Sequence, residues 1–461
     1  MIEARGQWSG RLGFVLAASG SAIGLGNLWK FPYITWQNGG GAFVLVYLLS
    51  ILLIGLPIMM AEIMIGRRTG KSTIPALQEM GGKGWGLVGV MGVLAGFVIL
   101  GYYSVIAGWA ISSFWECLNW SISGYRAPDS GAFGAFVSNG PLQLALSGAF
   151  SLATIGVVWL GVSKGIERVT KILMPMLFVI MLYFLVTVLT MDGASRALSF
   201  MFTPNFADLP PLGILEAVGH SFFTLSLGMG LMITYGSYLK KDMSVTKVSG
   251  LVVGLDTLVA LVATMIMFTI IFSFPGVEEQ VGKSTVGMLF ITLPNLFYTG
   301  MPGGAILGPL FFVLVGFAAL TSTISLLEVM VAYFIDGRGM KRSSATMLSG
   351  AGTYVSTVFC ALSLGAVGWM SSFELFPGKQ GVLNTLDHLA SNWMLPLGGL
   401  FITIFVGWKL DKRLSLEELK LTDDGGQPSI YFKLWRIVIR YVAPAAIIAV
   451  IIAVITGKDF S

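Results

Sequence analysis

Long apolar runs alternate with short polar stretches along the whole chain. Eleven runs are long enough to be spanning helices, at roughly 11–37, 41–66, 87–119, 142–162, 167–191, 212–238, 246–275, 305–335, 345–370, 388–408 and 434–456. About 20 predominantly apolar residues cross a bilayer as a helix. Several runs exceed that, which predicts tilted, bent or broken helices. The pattern predicts an all-α polytopic membrane protein with 11 transmembrane helices. Numbering the runs as segments 1 to 11, two are interrupted. Segment 1 contains "SGSAIGLGNLWKFPY", Ser19 to Tyr33, and segment 6 contains "SLGMG", Ser226 to Gly230. Glycine weakens a helix by about 1 kcal/mol relative to alanine, and unsatisfied polar groups in hydrocarbon cost more.

Close helix packing through small residues would explain either interruption alone. Two of them, five segments apart, predict something else. The second copy enters the membrane in the opposite orientation, the pattern of an inverted repeat with broken helices. A single domain over 1–461 is therefore expected, with a first repeat at 11–191, a second, inverted repeat at 212–408 and an added helix at 434–456. A dinucleotide-binding glycine loop is excluded, since no strand precedes the glycines and no βαβ unit surrounds them.

Composition agrees with a membrane protein. The chain has 461 residues, 55% hydrophobic and 11% charged, against about 25% charged in soluble domains. The net charge of +5 matters through its distribution. With a cytoplasmic N-terminus, only Lys30, Arg126, Arg196, Lys283, Lys379 and Lys458 among the 28 lysines and arginines fall on the far side. That obeys the positive-inside rule and predicts an inner-membrane, multi-pass protein with an extracytoplasmic C-terminus. The first run is too long for a cleavable signal peptide. Cys117 and Cys360 lie in apolar contexts and read as lone thiols. With two histidines and no HExxH or GxSxG motif, an enzyme is not expected.

A broken helix presents amide donors on one half and free carbonyls on the other. The amides, at a positive helix end, attract a carboxylate, while the carbonyls can replace the hydration shell of a small cation. Asp256, in "GLDTLVAL" of segment 7, is an intramembrane carboxylate and so a functional candidate by default.

At these residues the chain resembles the neurotransmitter:sodium symporters, which have the leucine-transporter fold. The resemblance rests on "RLGFVLAASGSAIGLGNLWKFPYITWQNGGGAF" from Arg11, "GYYSVIAGW" from Gly101, "SKGIERVTKILMP" from Ser163, "FFTLSLGMGLMITYGSY" from Phe222, "AALTSTISLLE" from Ala318 and "LPLGGLFITIFVGW" from Leu395. It covers nearly the whole chain. Many members have twelve helices; eleven matches some bacterial members. The resemblance implies a substrate amino acid whose carboxylate meets the amides of Leu25 and Gly26 and the Tyr103 hydroxyl. Its ammonium would meet carbonyls of Ala22, Phe223 and Thr224, with Ser226 nearby. Its side chain would face Ile99, Tyr103, Phe223, Met229, Ser322, Ser325 and Leu326. One Na+ would take Ala22, Asn27, Thr224, Asp256 and the substrate carboxylate. A second would take Gly20, Ile23, Ala318, Thr321 and Ser322. Many members have asparagine at the Asp256 position and need chloride; a fixed carboxylate there, with Ala260 nearby, implies no chloride. His220 aligns with a chloride-site position and is read equally as a packing residue.

The resemblance also implies gates. Lys30 and Asp387 match the outer charged pair, under which Tyr103 and Phe223 form an aromatic lid. Arg5 and Asp336 match the inner pair, surrounded by Trp8, Tyr235, Ser237 and Tyr238. Gly165 and Pro175 match a hinge in segment 5. Glu328 is read as a structural acid bonded to backbone groups near the two breaks. The expected activity is Na+-coupled symport of a neutral, hydrophobic or aromatic amino acid across the lipid bilayer, a monomer sufficing. The alternatives are a non-transporting amino-acid sensor and a symporter for a small amino acid such as glycine. The polar stretch Ser415 to Ser429 is expected to be a loop with a short helix.

Overall fold

The computed structural model describes residues 6–129, 131–277, 285–423 and 426–460. It is all-helical, without a named strand among these residues. Among the described residues nine helices are long and apolar enough to span a membrane: Gly41–Thr69, Lys83–Ser123, Gly140–Trp159, Val162–Val188, Val245–Ser273, Gly304–Arg338, Arg342–Leu362, Val382–Lys409 and Ile430–Ile455. These are segments 2 to 5 and 7 to 11. Segment 1 is a bent pair, Arg11–Ala22 and Gly26–Gln37, turned by 53° at the break. Segment 6 is Pro211–Thr224 and Leu231–Gly236, interrupted over 225–230. Neither half is long enough alone, so among the described residues length and composition count up to ten spans, with segment 6 outside the count. Segment 9 is shorter than expected: it ends at Leu362, and Gly368–Ser371 forms a separate turn.

Many of these helices widen by one π turn, and the proline positions explain most of them. Turns at Gly26–Lys30, Ile51–Gly55, Met288–Thr292, Leu389–Met394 and Val438–Val442 each end two residues before a proline, at positions 32, 57, 294, 396 and 444. Proline has no N–H, and its ring clashes with the carbonyl four residues back. A wider turn ahead of it removes that clash without ending the helix.

Segments 3 and 8 form the centre. In their most apolar stretches 67% and 72% of residues are buried, against 28% in segments 4 and 5, which face outwards. Association inside a membrane relies on close contact rather than on water expulsion. Segment 2 meets the second half of segment 6 in that way. A side-chain carbon on Gly236 would lie 2.6 Å from the Ile63 carbonyl oxygen, and one on Gly66 would overlap the Ile233 carbonyl. Two backbones touch there with no room for a methyl group. Outside the spans, Lys412–Leu419 is the short helix expected in the 415–429 region. It is pinned by Arg67, whose Nε donates to Glu418 at 2.8 Å.

Candidate functional site

The two breaks face one another at the middle of the fold. In segment 1, the amide of Gly24 donates to Asn27 Oδ1 at 3.1 Å, and the amide of Leu25 donates to the Tyr103 hydroxyl at 3.0 Å. In segment 6, Ser226 sits at φ +54°, and Gly228 and Gly230 at +79° and +71°. Left-handed backbone suits glycine and strains serine. The strain at Ser226 is held by its Oγ, which donates to the Ser21 carbonyl at 3.1 Å. The amide of Gly228 donates to Glu62 Oε1 at 2.8 Å, and the Gly230 carbonyl accepts from Thr73 Oγ1 at 2.5 Å. Side chains from segments 2 and 3 and the loop helix after segment 2 thus satisfy backbone groups that the breaks release, as a low-dielectric interior requires.

Between the breaks lies a cavity lined by Ser21, Ala22, Gly24, Leu25, Gly26, Ile99, Tyr103, Phe223, Thr224, Ser226, Met229, Ser322 and Leu326. Every residue expected to contact substrate is among them except Ser325. That hydroxyl points away, accepting from Tyr235 at 2.7 Å and donating to the Thr321 carbonyl at 2.9 Å. Ser21 and Gly24 join the wall without having been expected. The reason for a glycine at position 24 is spatial: an added methyl would lie 2.8 Å from Ser322 Oγ and 2.9 Å from the Tyr103 hydroxyl. The wall is polar at the breaks and apolar along Ile99, Phe223, Met229 and Leu326.

The residues expected at the first cation site are bonded to one another. Asp256 accepts from Asn27 Nδ2 at 2.8 Å and from Thr224 Oγ1 at 3.0 Å, and it is fully buried. Because Asn27 Oδ1 already takes the Gly24 amide, its Nδ2 is the atom left for Asp256. Asp256 therefore receives hydrogen bonds as a carboxylate does. At the expected second site, Gly20 packs on Thr321: a methyl on Gly20 would lie 3.1 Å from Thr321 Cβ. Thr321 Oγ1 donates to the Ala318 carbonyl at 3.1 Å and Ser322 Oγ to the Ser21 carbonyl at 3.3 Å. The Ile23 amide is tied to the Ser19 carbonyl at 2.7 Å. Both clusters offer hard oxygen ligands only. Among the described residues no group of three or more His, Cys, Asp and Glu could hold a transition metal.

On the side of the cavity that carries the N-terminal stretch, the fold is closed around Trp8, which is fully buried. Its Nε1 donates to the Tyr235 carbonyl at 3.1 Å, its amide donates to the Tyr238 carbonyl at 3.3 Å, and its ring meets both tyrosines edge-on. Ser237 Oγ donates to the Thr234 carbonyl at 2.5 Å. Asp336 accepts from the Ser72 amide at 2.7 Å; Arg5 lies outside the described residues. Glu328 departs from its expected role. It bonds to no backbone group at the breaks but accepts from Tyr238 at 2.7 Å and from Arg342 at 2.5 and 3.1 Å. Segment 9 supplies the charge that a buried carboxylate needs, and segment spacing alone gave no sign of it.

Lys30 feels the charge of Asp387, its expected partner, and takes a hydrogen bond that was not expected. Its Nζ donates to the Phe460 carbonyl at 2.9 Å and lies 5.0 Å from the centre of the Phe223 ring, while Asp387 accepts from Ser391 at 3.1 Å. His220 stacks on Phe31, with ring centres 5.6 Å apart, as a packing residue does. Gly165 lies in the π turn Val162–Glu167 and Pro175 inside the helix that continues from it. Met174, next to that proline, has its sulfur 3.1 Å from the place of a Gly20 methyl, so the segment expected to be a hinge touches the residues expected at the second cation site.

Two carboxylates at the site were not singled out from sequence. Glu62, in "MMAEIM" of segment 2, was open to the same reasoning as Asp256. Glu167 sits in a stretch already quoted, "SKGIERV". It accepts from the Ser9 amide at 2.9 Å and from Ser9 Oγ, and pairs with Lys171 at 2.7 Å, clamping the chain that seats Trp8.

Comparison with known proteins gives consistent results. The model of the Sodium:neurotransmitter symporter family matches residues 5–127 and 134–459. A sodium-dependent transporter of Bacillus subtilis (strain 168), YhdH, is 38% identical over 456 residues, covering 98% of each chain. A sodium-dependent transporter of Haemophilus influenzae is 31% identical over 461 residues, covering 97% of this chain and 98% of its own. The crystal structure of MhsT in complex with L-phenylalanine superposes with a TM-score of 0.86 at 41% identity, covering 98% of this chain and 100% of the other.

Proposed function

The chain belongs to the sodium:neurotransmitter symporter family, and from that premise we propose that it is a symporter of neutral, apolar amino acids that needs Na+ but not chloride. Transport dependent on sodium and a membrane location follow from the family. The substrate class rests on the cavity wall. The Leu25 amide and Tyr103 hydroxyl, now bonded to each other, are the donors that a carboxylate would take over. Ser21, Ala22 and Thr224 bring backbone and hydroxyl oxygens for an ammonium. The remaining wall is apolar with no charged side chain, which disfavours acidic and basic amino acids. Met229 can repack around side chains of different shape. The relative solved with L-phenylalanine supports a substrate of this kind, aromatic residues included.

Independence from chloride is the reading that Asp256 carries. A buried carboxylate within a set of oxygen ligands supplies the negative charge that a cation there requires. A substrate carboxylate shared between that cation and the segment 1 amides would make each ligand raise the affinity of the other. We read the Asn27–Thr224–Asp256 cluster and the Gly20–Thr321–Ser322 cluster as the two Na+ sites. We also read segments 1–5 and 6–10 as inverted repeats, the N-terminus as cytoplasmic and a monomer as sufficient. Uptake into proteoliposomes under an inward Na+ gradient, with chloride replaced by gluconate in half the samples, tests the reading. Concentrative uptake of an apolar amino acid in both is expected. Loss of uptake without chloride would remove the role given to Asp256, and no Na+-dependent uptake from a folded, ligand-binding preparation would favour a sensor.

A further inference from the structure

The partner that Lys30 finds in Phe460 comes from the short stretch after segment 11. That stretch turns back, with the Lys458 amide donating to the Ala453 carbonyl at 3.0 Å. It is then fastened to segment 10. Asp459 accepts from Asn392 Nδ2 at 2.7 Å, lies 3.2 Å from His388 Nδ1 and pairs with Lys379. The Phe460 amide donates to Asn392 Oδ1 at 2.9 Å. Asn392 and His388 stand one helical turn apart, so one face of segment 10 receives the strand of chain. On the other side the Phe460 ring reaches segment 6, 4.0 Å from the place of a side-chain carbon on Gly219. Phe460 thus spends both its main-chain polar groups and its ring on three different segments, and its carbonyl holds the Lys30 ammonium that lies over the Phe223 ring of the cavity wall.

Segments 1, 6 and 10 are bridged here on the side of the cavity opposite Trp8. Resting on the reading of the chain as an alternating-access symporter, we infer that residues 456–460 are a working part of the outer gate. They act as a strap that holds Lys30 against segment 10 while the outer side is shut. Asp459 is the positioning residue, since its contacts with Asn392, His388 and Lys379 fix where the Phe460 carbonyl lies. Opening outwards breaks the Lys30 bond and separates the strap from one of its anchors. The strap therefore favours the closed state by whatever contacts the open state lacks.

Two cysteine reporters separate a gate from a passive cover, and both native cysteines are buried. Gly219→Cys reports uncovering of segment 6, and Ile99→Cys, on the cavity wall, reports opening of the path to the cavity. Each is labelled with a membrane-impermeant thiol reagent in Na+-free buffer. The comparison is between the full chain, the chain ending at Gly457, Asp459→Ala and Asp459→Glu. Shortening and Asp459→Ala are each expected to speed labelling of Ile99→Cys by on the order of tenfold, which corresponds to about 1.4 kcal/mol in the gating equilibrium, and Asp459→Glu to restore most of the protection. Unchanged labelling of Ile99→Cys overturns the proposal, even if Gly219→Cys is labelled faster, because the segment is then only a cover. Should the shortened chain not fold, Asp459→Ala gives the answer alone. The labelling needs no substrate or Na+, so its outcome is separate from whether the uptake assay succeeds.

Discussion

Replacing Asp256 with asparagine removes one charge and almost no volume, so it isolates the electrostatic part of the first cation cluster. Asparagine keeps an acceptor for Thr224 Oγ1 and Asn27 Nδ2, the two donors that hold the carboxylate at 3.0 and 2.8 Å. What is lost is the attraction between a fixed negative charge and a cation about 4 Å away. At the effective dielectric of about 20 that describes protein sites, that attraction is about 4 kcal/mol. Since tenfold in affinity is about 1.4 kcal/mol, full loss would weaken Na+ by roughly a thousandfold. Reorientation of the new amide and entry of water recover part of this, so a loss of about 30-fold to several hundredfold is expected. The assay is substrate binding to purified protein as a function of Na+, in chloride and in gluconate. The full chain should give the same Na+ curve in both anions. Asp256→Asn should shift to much higher Na+ in gluconate and recover partly in chloride, where an external anion supplies the missing charge. A variant with an unshifted curve, or a wild-type curve that already depends on chloride, would refute the reasoning.

Gly24→Ala places a methyl 2.8 Å from Ser322 Oγ and 2.9 Å from the Tyr103 hydroxyl; overpacking of about 1–3 kcal/mol should lower substrate affinity by about fivefold to a hundredfold in equilibrium binding. Gly10→Ala, with nothing within 4 Å, should leave binding unchanged. Arg342→Ala leaves Glu328, fully buried, without its charged partner; a cost of about 3–5 kcal/mol should appear as a markedly lower apparent melting temperature in detergent. Glu167→Ala removes the acceptor for Ser9 and the partner of Lys171, and hydrogen exchange over residues 6–15 should rise by on the order of tenfold, while the exchange of segment 8 stays as it was.

The spans and the position of both breaks were legible because they depend on local pattern: apolar length, and glycines with polar neighbours where a helix gains nothing from them. The cavity wall was nearly complete because the resemblance to the neurotransmitter:sodium symporters implied it residue by residue, from segments 1, 3, 6 and 8. Ser325 shows the limit of that logic. It is three positions from Ser322 on one helix, yet its hydroxyl faces Tyr235 on another, and only the packing of segment 6 against segment 8 decides between the two directions. Glu328 and Lys30 have further partners that could not be read in advance. These partners, Arg342 and Phe460, lie in segments whose approach to segment 8 or segment 1 is set by the three-dimensional arrangement. The π turns could have been read in advance, as five of them stand ahead of prolines at a fixed spacing.

The hydrogen bonds around the cavity divide the fold into parts that stay together and parts that can separate. One polar knot joins segments 1, 6 and 7, with Asn27 and Thr224 both bonded to the Asp256 carboxylate at 3.0 Å or less. Bonds to a charged group in a low-dielectric interior are the strong ones. A second knot sits on the Ser21 carbonyl, which accepts from Ser226 at 3.1 Å and from Ser322 of segment 8 at 3.3 Å. This link to segment 8, beside the cavity, is a long bond between neutral groups, worth about 1 kcal/mol. Segment 2 moves with the first group, because its backbone touches that of segment 6 at Gly66 and Gly236 and its Glu62 holds the Gly228 amide. Segments 1, 2, 6 and 7 are therefore joined as a unit around the cavity by charge and by backbone contact, while the seam between them and segments 3 and 8 carries neutral bonds beside the cavity and, farther from it, the bonds of Tyr235 to Ser325 and of Tyr238 to Glu328 at 2.7 Å. A cation at Gly20, Thr321 and Ser322 would sit across this seam and a cation at Asp256 within the unit. Occupancy of the second site would then set whether the seam stays closed, and occupancy of the first would set how tightly the substrate is held inside it.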